Sequence, residues 1–317
     1  MTADDHALAR ELAEQAGLRL LELRARGGEP DLVRAAGDRL AHEFLTAQLA
    51  ARRPGDVVLS EEGADDPARL AANRVWIVDP LDGTREFGES GRTDWAVHVA
   101  LWERTADTLT AGAVALPAQG RVLSTLDPPS PPRRGVEPVP AAPMSHRPGP
   151  AGSPAAASAC RPSAAARPGS AGEPPAAARP GSAGEPPAAA RPGSAGEPPA
   201  AAGPERIVVS RSRAPRLVQD ISELIGAALI PLGSAGAKVA AVVCGEADAY
   251  VHAGGFYEWD TAAPVAVARA AGFHASRIDG SPLAYNQADL LMPDILVCLP
   301  ALAGALLQAI REVTNAL

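Results

Sequence analysis

Val75-Trp76-Ile77-Val78-Asp79-Pro80-Leu81-Asp82-Gly83-Thr84 is the stretch on which the reading of this chain turns. Its β-branched and aromatic run predicts a buried strand that fixes Asp79 at its end. Pro80 stiffens the exit and cannot extend a ladder. Asp79 and Asp82 can then turn toward one point, which suits hard cations that prefer oxygen ligands. Gly83 lets the backbone come close to a ligand, and Thr84 is the expected N-cap of a helix whose free N–H groups attract an anion such as phosphate. Cation ligands beside an anion cradle point to metal-assisted phosphoryl chemistry.

Working outward, residues 4–26 carry Leu8, Leu12, Ala16 and Leu20 at helical spacing, which predicts an amphipathic helix. Gly27-Gly28-Glu29-Pro30 breaks it, and a second helix is expected from Leu32 to Ala51, with Asp38 near its start. Val57-Val58-Leu59 predicts a short strand leading into Ser60-Glu61-Glu62-Gly63. Trp95 to Trp102 is apolar on both faces, as a central strand would be, and the segments around Ala118-Gln119-Gly120 predict a hairpin. Beyond residue 205 come expected strands at 206–210, 229–232, 248–252 and 295–299. Helices are expected around Leu217–Ala228, from the Gly233–Lys238 segment, from Glu258 to Gly272 and from Pro300 to Val313. Both parts mix strands and helices, an α+β pattern.

Composition divides the chain at 1–127, 128–204 and 205–317. The middle stretch is Pro, Ala, Gly, Ser and Arg, and the 12-residue unit AAARPGSAGEPP occurs there three times, from Ala164, Ala176 and Ala188. It has no apolar face to stack on its neighbours and is expected to be a disordered insert in a surface loop. The first and last parts are expected to be the two halves of the folded body.

A net charge of −8 gives no basic footprint for a nucleic-acid polymer, and no apolar run is long enough to predict a membrane span. Cys160, Cys244 and Cys298 lack CxxC spacing. A disulfide framework and a cysteine zinc site are both unsupported, and the cytoplasm is the expected compartment.

Glu61, Asp79, Asp82 and Asp260 each follow a strand or open a helix, so they can converge. Clustered carboxylates repel one another and are costly unless cations neutralise them. A scaffold protein working through its Pro-rich insert is the reading of another class, and it has no use for clustered acids. Lys238, the only lysine among 29 basic residues, is the natural candidate to meet a second substrate phosphate, with Ser234 beside it. His98, His252 and His274 are expected to be strand or turn residues and not ligands.

Asp79-Pro80-Leu81-Asp82-Gly83-Thr84 resembles the DPxDGT signature of the inositol monophosphatase superfamily of magnesium-dependent, lithium-sensitive phosphatases. Leu59-Ser60-Glu61-Glu62 is similar to that family's upstream Glu-Glu element. Trp259-Asp260-Thr261-Ala262-Ala263 is similar to its WDxAA element, and Gly233–Lys238 to its GSxxxK segment. Gly83–Phe87, Glu258 and Asp279–Asn286 look most like the CysQ type, which removes the 3′-phosphate of adenosine 3′,5′-bisphosphate, a by-product of sulfate assimilation. Arg34-Ala35-Ala36-Gly37-Asp38 keeps the aspartate of the family's Thr-x-Ala-Asp element but lacks its threonine.

The resemblance implies a layered αβαβα sandwich of the inositol monophosphatase/fructose-1,6-bisphosphatase type with two or three Mg2+ ions. Glu61, Asp79 and the Leu81 carbonyl are implied to hold one ion, and Asp79, Asp82 and Asp260 a second. Glu61 and Thr84 are implied to position the attacking water, with Thr84 relaying a proton to Asp38. Gly83 and Thr84 are implied to hold the phosphate through backbone N–H groups, while Ser234, Lys238 and Asp260 lie on the substrate side. Glu62 is implied to act from behind the ligands. The expected partner is a small phosphate ester: adenosine 3′,5′-bisphosphate first, then 3′-phosphoadenylyl sulfate, with inositol-1-phosphate or fructose-1,6-bisphosphate as the alternative. The chain is expected to act as a monomer or homodimer.

Overall fold

The computed structural model describes residues 3–130, 203–212 and 214–316; the expected insert at 128–204 lies almost wholly outside the described residues. Chain order begins with α1 (Ala3–Ala25), α2 (Pro30–Arg52), β1 (Val57–Ser60), β2 (Arg74–Asp82), α3 (Thr84–Gly88), β3 (Ala96–Glu103), β4 (Thr108–Leu116) and β5 (Arg121–Ser124). It continues with β6 (Arg206–Ser210), α4 (Arg216–Ile225), β7 (Ala228–Leu232), α5 (Ala235–Val243), β8 (Ala249–Tyr257), α6 (Glu258–Ala270), β9 (His274–Ser276), β10 (Leu291–Cys298) and α7 (Pro300–Ala316). A short 3-10 helix, Pro67–Ala71, lies between β1 and β2.

Period-2 alternation in the strands decides the layers. In β2, Trp76 and Val78 point to a core shared with Leu8, Leu12 and Leu20 of α1 and Leu45 and Leu49 of α2. Val75 and Ile77 point the other way, into a core with α5 and α6. The second sheet continues outward: Val208 and Ile295 join that middle core, while Ile207, Val251 and Leu296 pack against α4 and α7. The expected five-layer sandwich is therefore observed, with strand orders β1-β2-β3-β4-β5 and β7-β6-β8-β10-β9. Small residues let the middle layer close: a Cβ on Gly112 of β4 would lie 2.7 Å from Ala266 Cβ of α6.

The elements differ from expectation at several ends; β10, for one, begins at Leu291 and not at 295. Strand β2 does not stop at Asp79 but runs through Pro80 to Asp82, with a bulge between Asp79 and Asp82 against β3. The bulge absorbs the proline, since no ladder bond is asked of it. β8 extends to Tyr257, and β9 is too short to show in the apolar pattern.

Candidate active site

Register brings the acids together. β1 and β2 are parallel, with Leu59 opposite Ile77 and Ser60 opposite Val78, so the next residue, Glu61, falls beside Asp79. The Glu61 N–H donates to the Val78 carbonyl, 3.4 Å. Asp79 has the parity of Val75 and Ile77 and so faces the middle layer. The bulge lets Leu81 join the α1/α2 core and returns Asp82 to the side of Asp79. Asp260, in the first turn of α6, arrives from that middle layer, and its Oδ2 accepts the Tyr257 N–H at 2.6 Å. Four carboxylates from the sequence-distant halves thus face one another.

Their titration reports the crowding. Burial first, then the charges of Glu61, Asp82 and Asp260, hold Asp79 well above the usual carboxylate range. Burial and Asp82 push Asp260 up to about 8. Burial pushes Glu61 up to about 7, with Asp82, Glu62 and Asp38 adding to the rise and Asp79 partly offsetting it. Asp79 Oδ1 accepts the Leu81 N–H at 3.0 Å, but its buried Oδ2 has no hydrogen-bond partner. An orphaned carboxylate oxygen among mutually repelling acids is what a hard divalent cation would satisfy, so the donor set fits such an ion.

Thr84 closes one side. Its hydroxyl lies 3.2 Å from Asp38 Oδ1 and 3.0 Å from the Leu81 carbonyl, sharing one hydrogen between two acceptors. Burial, then the charge of Glu62, pushes Asp38 up to about 6 against the lowering effect of the Thr84 hydroxyl. The expected contact between Thr84 and Asp38 is present. The N-cap of α3, however, is Gly83 and not Thr84: Gly83 adopts φ 84, ψ 42, which a side chain there would resist. Glu62 is solvent-exposed and acts on Asp38 and Glu61 through its charge alone.

The structure places Ser234 and Lys238 at the start of α5. Ser234 is buried and its Oγ accepts the Ala237 N–H, 2.7 Å, as the N-cap of α5. Lys238 is only 3% exposed, donates from Nζ to the Gly233 carbonyl and lies 5.4 Å from the Tyr250 ring centre. Burial lowers its pKa, while Asp82, Glu86, Asp260 and Asp94 pull it back up. These bonds hold the start of α5, and the Lys238 head feels the charges of Asp82 and Asp260. The length of a lysine side chain leaves its head unplaced in sequence, and only the fold shows what it meets.

Two further groups touch the acids. The Gly236 N–H donates to Asp82 Oδ2 at 2.8 Å, and a Cβ on Gly236 would fall 2.2 Å from His98 Nε2. His98 is fully buried; its Nδ1 lies 3.2 Å from the Trp259 carbonyl and its Nε2 3.3 Å from Asp82 Oδ2. Donor atoms of Asp79, Asp82 and His98 lie within 4.8 Å of one another. Burial holds the His98 ring below the usual imidazole range, keeping it neutral. His98 is the strand residue expected, but its ring also forms the floor of the cluster. The signal available was its parity with Ala96 and Ala100, which places it on the Asp79 face. Among the described residues, no helix is long and apolar enough to cross a membrane.

The sequence matches the inositol monophosphatase family over residues 5–128 and 201–315. A Mycobacterium leprae protein named 3′-phosphoadenosine 5′-phosphate phosphatase is 42% identical over 318 positions, covering 98% of this chain and 94% of the relative. A Mycobacterium tuberculosis protein of the same name is 41% identical over 302 positions, covering 94% and 90%. Among solved structures, inositol monophosphatase II from Staphylococcus aureus superposes with a TM-score of 0.66 at 17% identity, covering 98% of this chain and 94% of that one. The last of these speaks for the fold alone.

Proposed function

This chain belongs to the inositol monophosphatase family, and from that premise we propose that it is a magnesium-dependent phosphomonoesterase. Its proposed substrate is adenosine 3′,5′-bisphosphate, cleaved by water to AMP and inorganic phosphate, with 3′-phosphoadenylyl sulfate as a second substrate and sulfate assimilation as the setting. The observation that carries the reaction class is the convergence of Glu61, Asp79, Asp82 and Asp260 around an unsatisfied Asp79 oxygen. The substrate rests on the names of near full-length relatives.

Glu61, Asp79 and the Leu81 carbonyl would hold one Mg2+, and Asp79, Asp82 and Asp260 a second, in a site of two or three ions. Bound there, the ions supply positive charge for the phosphoryl oxygens and for the attacking water. The rest falls to the chain. Backbone N–H groups of Gly83 and Thr84 hold the phosphate, and the missing Cβ of Gly83 leaves room for Ser234 and the Asp94 carbonyl, which it would meet at 3.1 and 3.3 Å. Glu61 and the Thr84 hydroxyl orient the water, and Asp38, raised to about 6, takes its proton through Thr84. Asp82 is held in place by the Gly236 N–H. Asp260, tied to the Tyr257 N–H, presents its other oxygen to the ions and the substrate. The protein acts as a monomer or homodimer in the cytoplasm; among the described residues Cys244 and Cys298 are free and buried.

Phosphate release from adenosine 3′,5′-bisphosphate, inositol-1-phosphate and fructose-1,6-bisphosphate, with Mg2+ and with added Li+, tests this. Turnover of the nucleotide with the largest kcat/KM, dependent on Mg2+ and suppressed by Li+, is expected. No turnover of any substrate with Mg2+ sinks the enzyme reading. A larger kcat/KM for inositol-1-phosphate sinks the substrate assignment.

A further inference from the structure

Glu258 and Asp279–Asn286 mark the subgroup in sequence, yet none of these residues is one of the four clustered carboxylates. In the structure, the two ends of this set build one buried polar chain. Glu258, the first residue of α6, accepts the Asn286 N–H on Oε2 at 2.6 Å and the Gln287 N–H on Oε1 at 2.7 Å. Asn286 is buried in the left-handed region, φ 58. Its side-chain oxygen accepts from Arg69 Nη1 at 2.9 Å, and its amide nitrogen donates to the Arg69 carbonyl at 3.2 Å. Arg69, 1% exposed, spends Nε and Nη2 on Asp65 at 2.6 and 3.2 Å.

A fully buried arginine is rare and costly unless its donors are matched, so this fork is placed for a purpose. Arg69 lies on the β1–β2 connection that begins at Glu61. Glu258 lies two residues before Asp260 in the first turn of α6. Arg69 and Asn286 are 217 residues apart in sequence, so covalent continuity cannot set the spacing between the connection and α6; contacts must.

Resting on the proposed magnesium site, we infer that Arg69, acting through Asn286 and Glu258, is a positioning residue that sets the spacing between Glu61 and Asp260 and with it the affinity for the cation. Groups that orient ligands from behind typically change metal affinity 10- to 100-fold when lost. A purely structural pin would lower the melting temperature on removal and change nothing else.

Asn286→Gly separates the two, because glycine keeps the left-handed backbone and both N–H donations to Glu258 while deleting the link to Arg69. Arg69→Lys is the second variant: it keeps the charge but loses the planar fork. Both are made in the full chain. Mg2+ binding is measured without substrate by calorimetry, well below each variant's Tm, and kcat is measured at saturating Mg2+. The expected result is Mg2+ affinity weakened roughly 10- to 100-fold in both, with kcat at saturating Mg2+ near that of the parent. Unchanged Mg2+ affinity with a lower Tm overturns the inference, as does a kcat loss that saturating Mg2+ leaves in place. A parent chain that neither binds Mg2+ nor releases phosphate would instead overturn the proposed function beneath it.

Discussion

The two motifs that flank the cluster, Asp79–Thr84 and Gly233–Lys238, look alike in sequence: each pairs glycine with polar groups at the start of a helix. They differ in what is left over. In the first, Asp79 keeps a buried oxygen without a partner and the acids beside it repel. In the second, each polar side chain has a partner within the chain: the Ser234 hydroxyl accepts from Ala237 and the Lys238 ammonium donates to Gly233. Even the Gly233 N–H goes to Asp94 Oδ2 at 2.6 Å, and a Cβ there would meet Glu86 Cγ at 2.4 Å. A buried oxygen without a partner marks a place where a cation is owed, and bonds made within the chain mark groups that also hold the fold.

The largest effect should fall on the first motif. Asp79→Asn is expected to lower kcat/KM by roughly 10³-fold, about 4 kcal/mol of transition-state stabilisation. The same variant should melt higher than the parent without metal, because one of four repelling acids is gone. Activity within threefold of the parent would remove Asp79 from the site.

Lys238→Met probes the second motif. Removing the ammonium takes the nearby buried positive charge from Asp82 and Asp260, while Glu86 keeps Arg211 and Asp94 keeps Arg92, a loss of about 3 kcal/mol in a denaturant titration. KM should rise no more for adenosine 3′,5′-bisphosphate than for adenosine 3′-monophosphate. A rise confined to the bisphosphate would break the comparison and assign Lys238 to the substrate.

Much of this was legible in the sequence. The helical spacing of Leu8, Leu12, Ala16 and Leu20, the apolar strands and the DPLDGT stretch are local patterns, and local patterns survive folding. What could not be read depends on register or on where a long side chain ends. The parallel alignment of β1 with β2 sets Glu61 beside Asp79, and no single segment encodes that offset. The bulge that turns Asp79 and Asp82 to the same face is a property of the β2–β3 pair. Arg69 reads as one arginine among many until Asn286 is brought to it. Lys238 has reach enough for either direction, so its sequence position could not choose between ligand and scaffold.

Gly236 joins the two motifs, since its N–H holds Asp82 while its bare Cα admits His98. Gly236→Ala pushes a methyl into a 2.2 Å approach to His98 Nε2, an atom at the floor of the site. Relief by shifting α5 would stretch the bond to Asp82, so a loss of about 2 kcal/mol in stability is expected, together with weaker Mg2+ binding. Parent-like Mg2+ binding in a destabilised variant would make Gly236 a packing residue only.

The smallest effect is the dependence of metal-free stability on pH. Glu61 and Asp260 are raised to about 7 and about 8, above the values of about 4 expected in the unfolded chain. Between those limits the folded state binds more protons than the unfolded state, so their contribution is complete below about pH 4 and is lost as pH rises through 7 and 8. Glu61 opens to solvent, which screens its share. From pH 7.5 to pH 8.5 the metal-free chain should therefore lose stability, on the order of 1 kcal/mol, read as a falling Tm in a buffer with a chelator. Millimolar Mg2+ should abolish the fall, because a cation takes the place of the lost protons and binds better as they leave. Ser234 and Lys238 offer no such exchange, since their bonds are made within the chain. A Tm that falls equally with and without Mg2+ would show that the acids, however crowded, hold no ion.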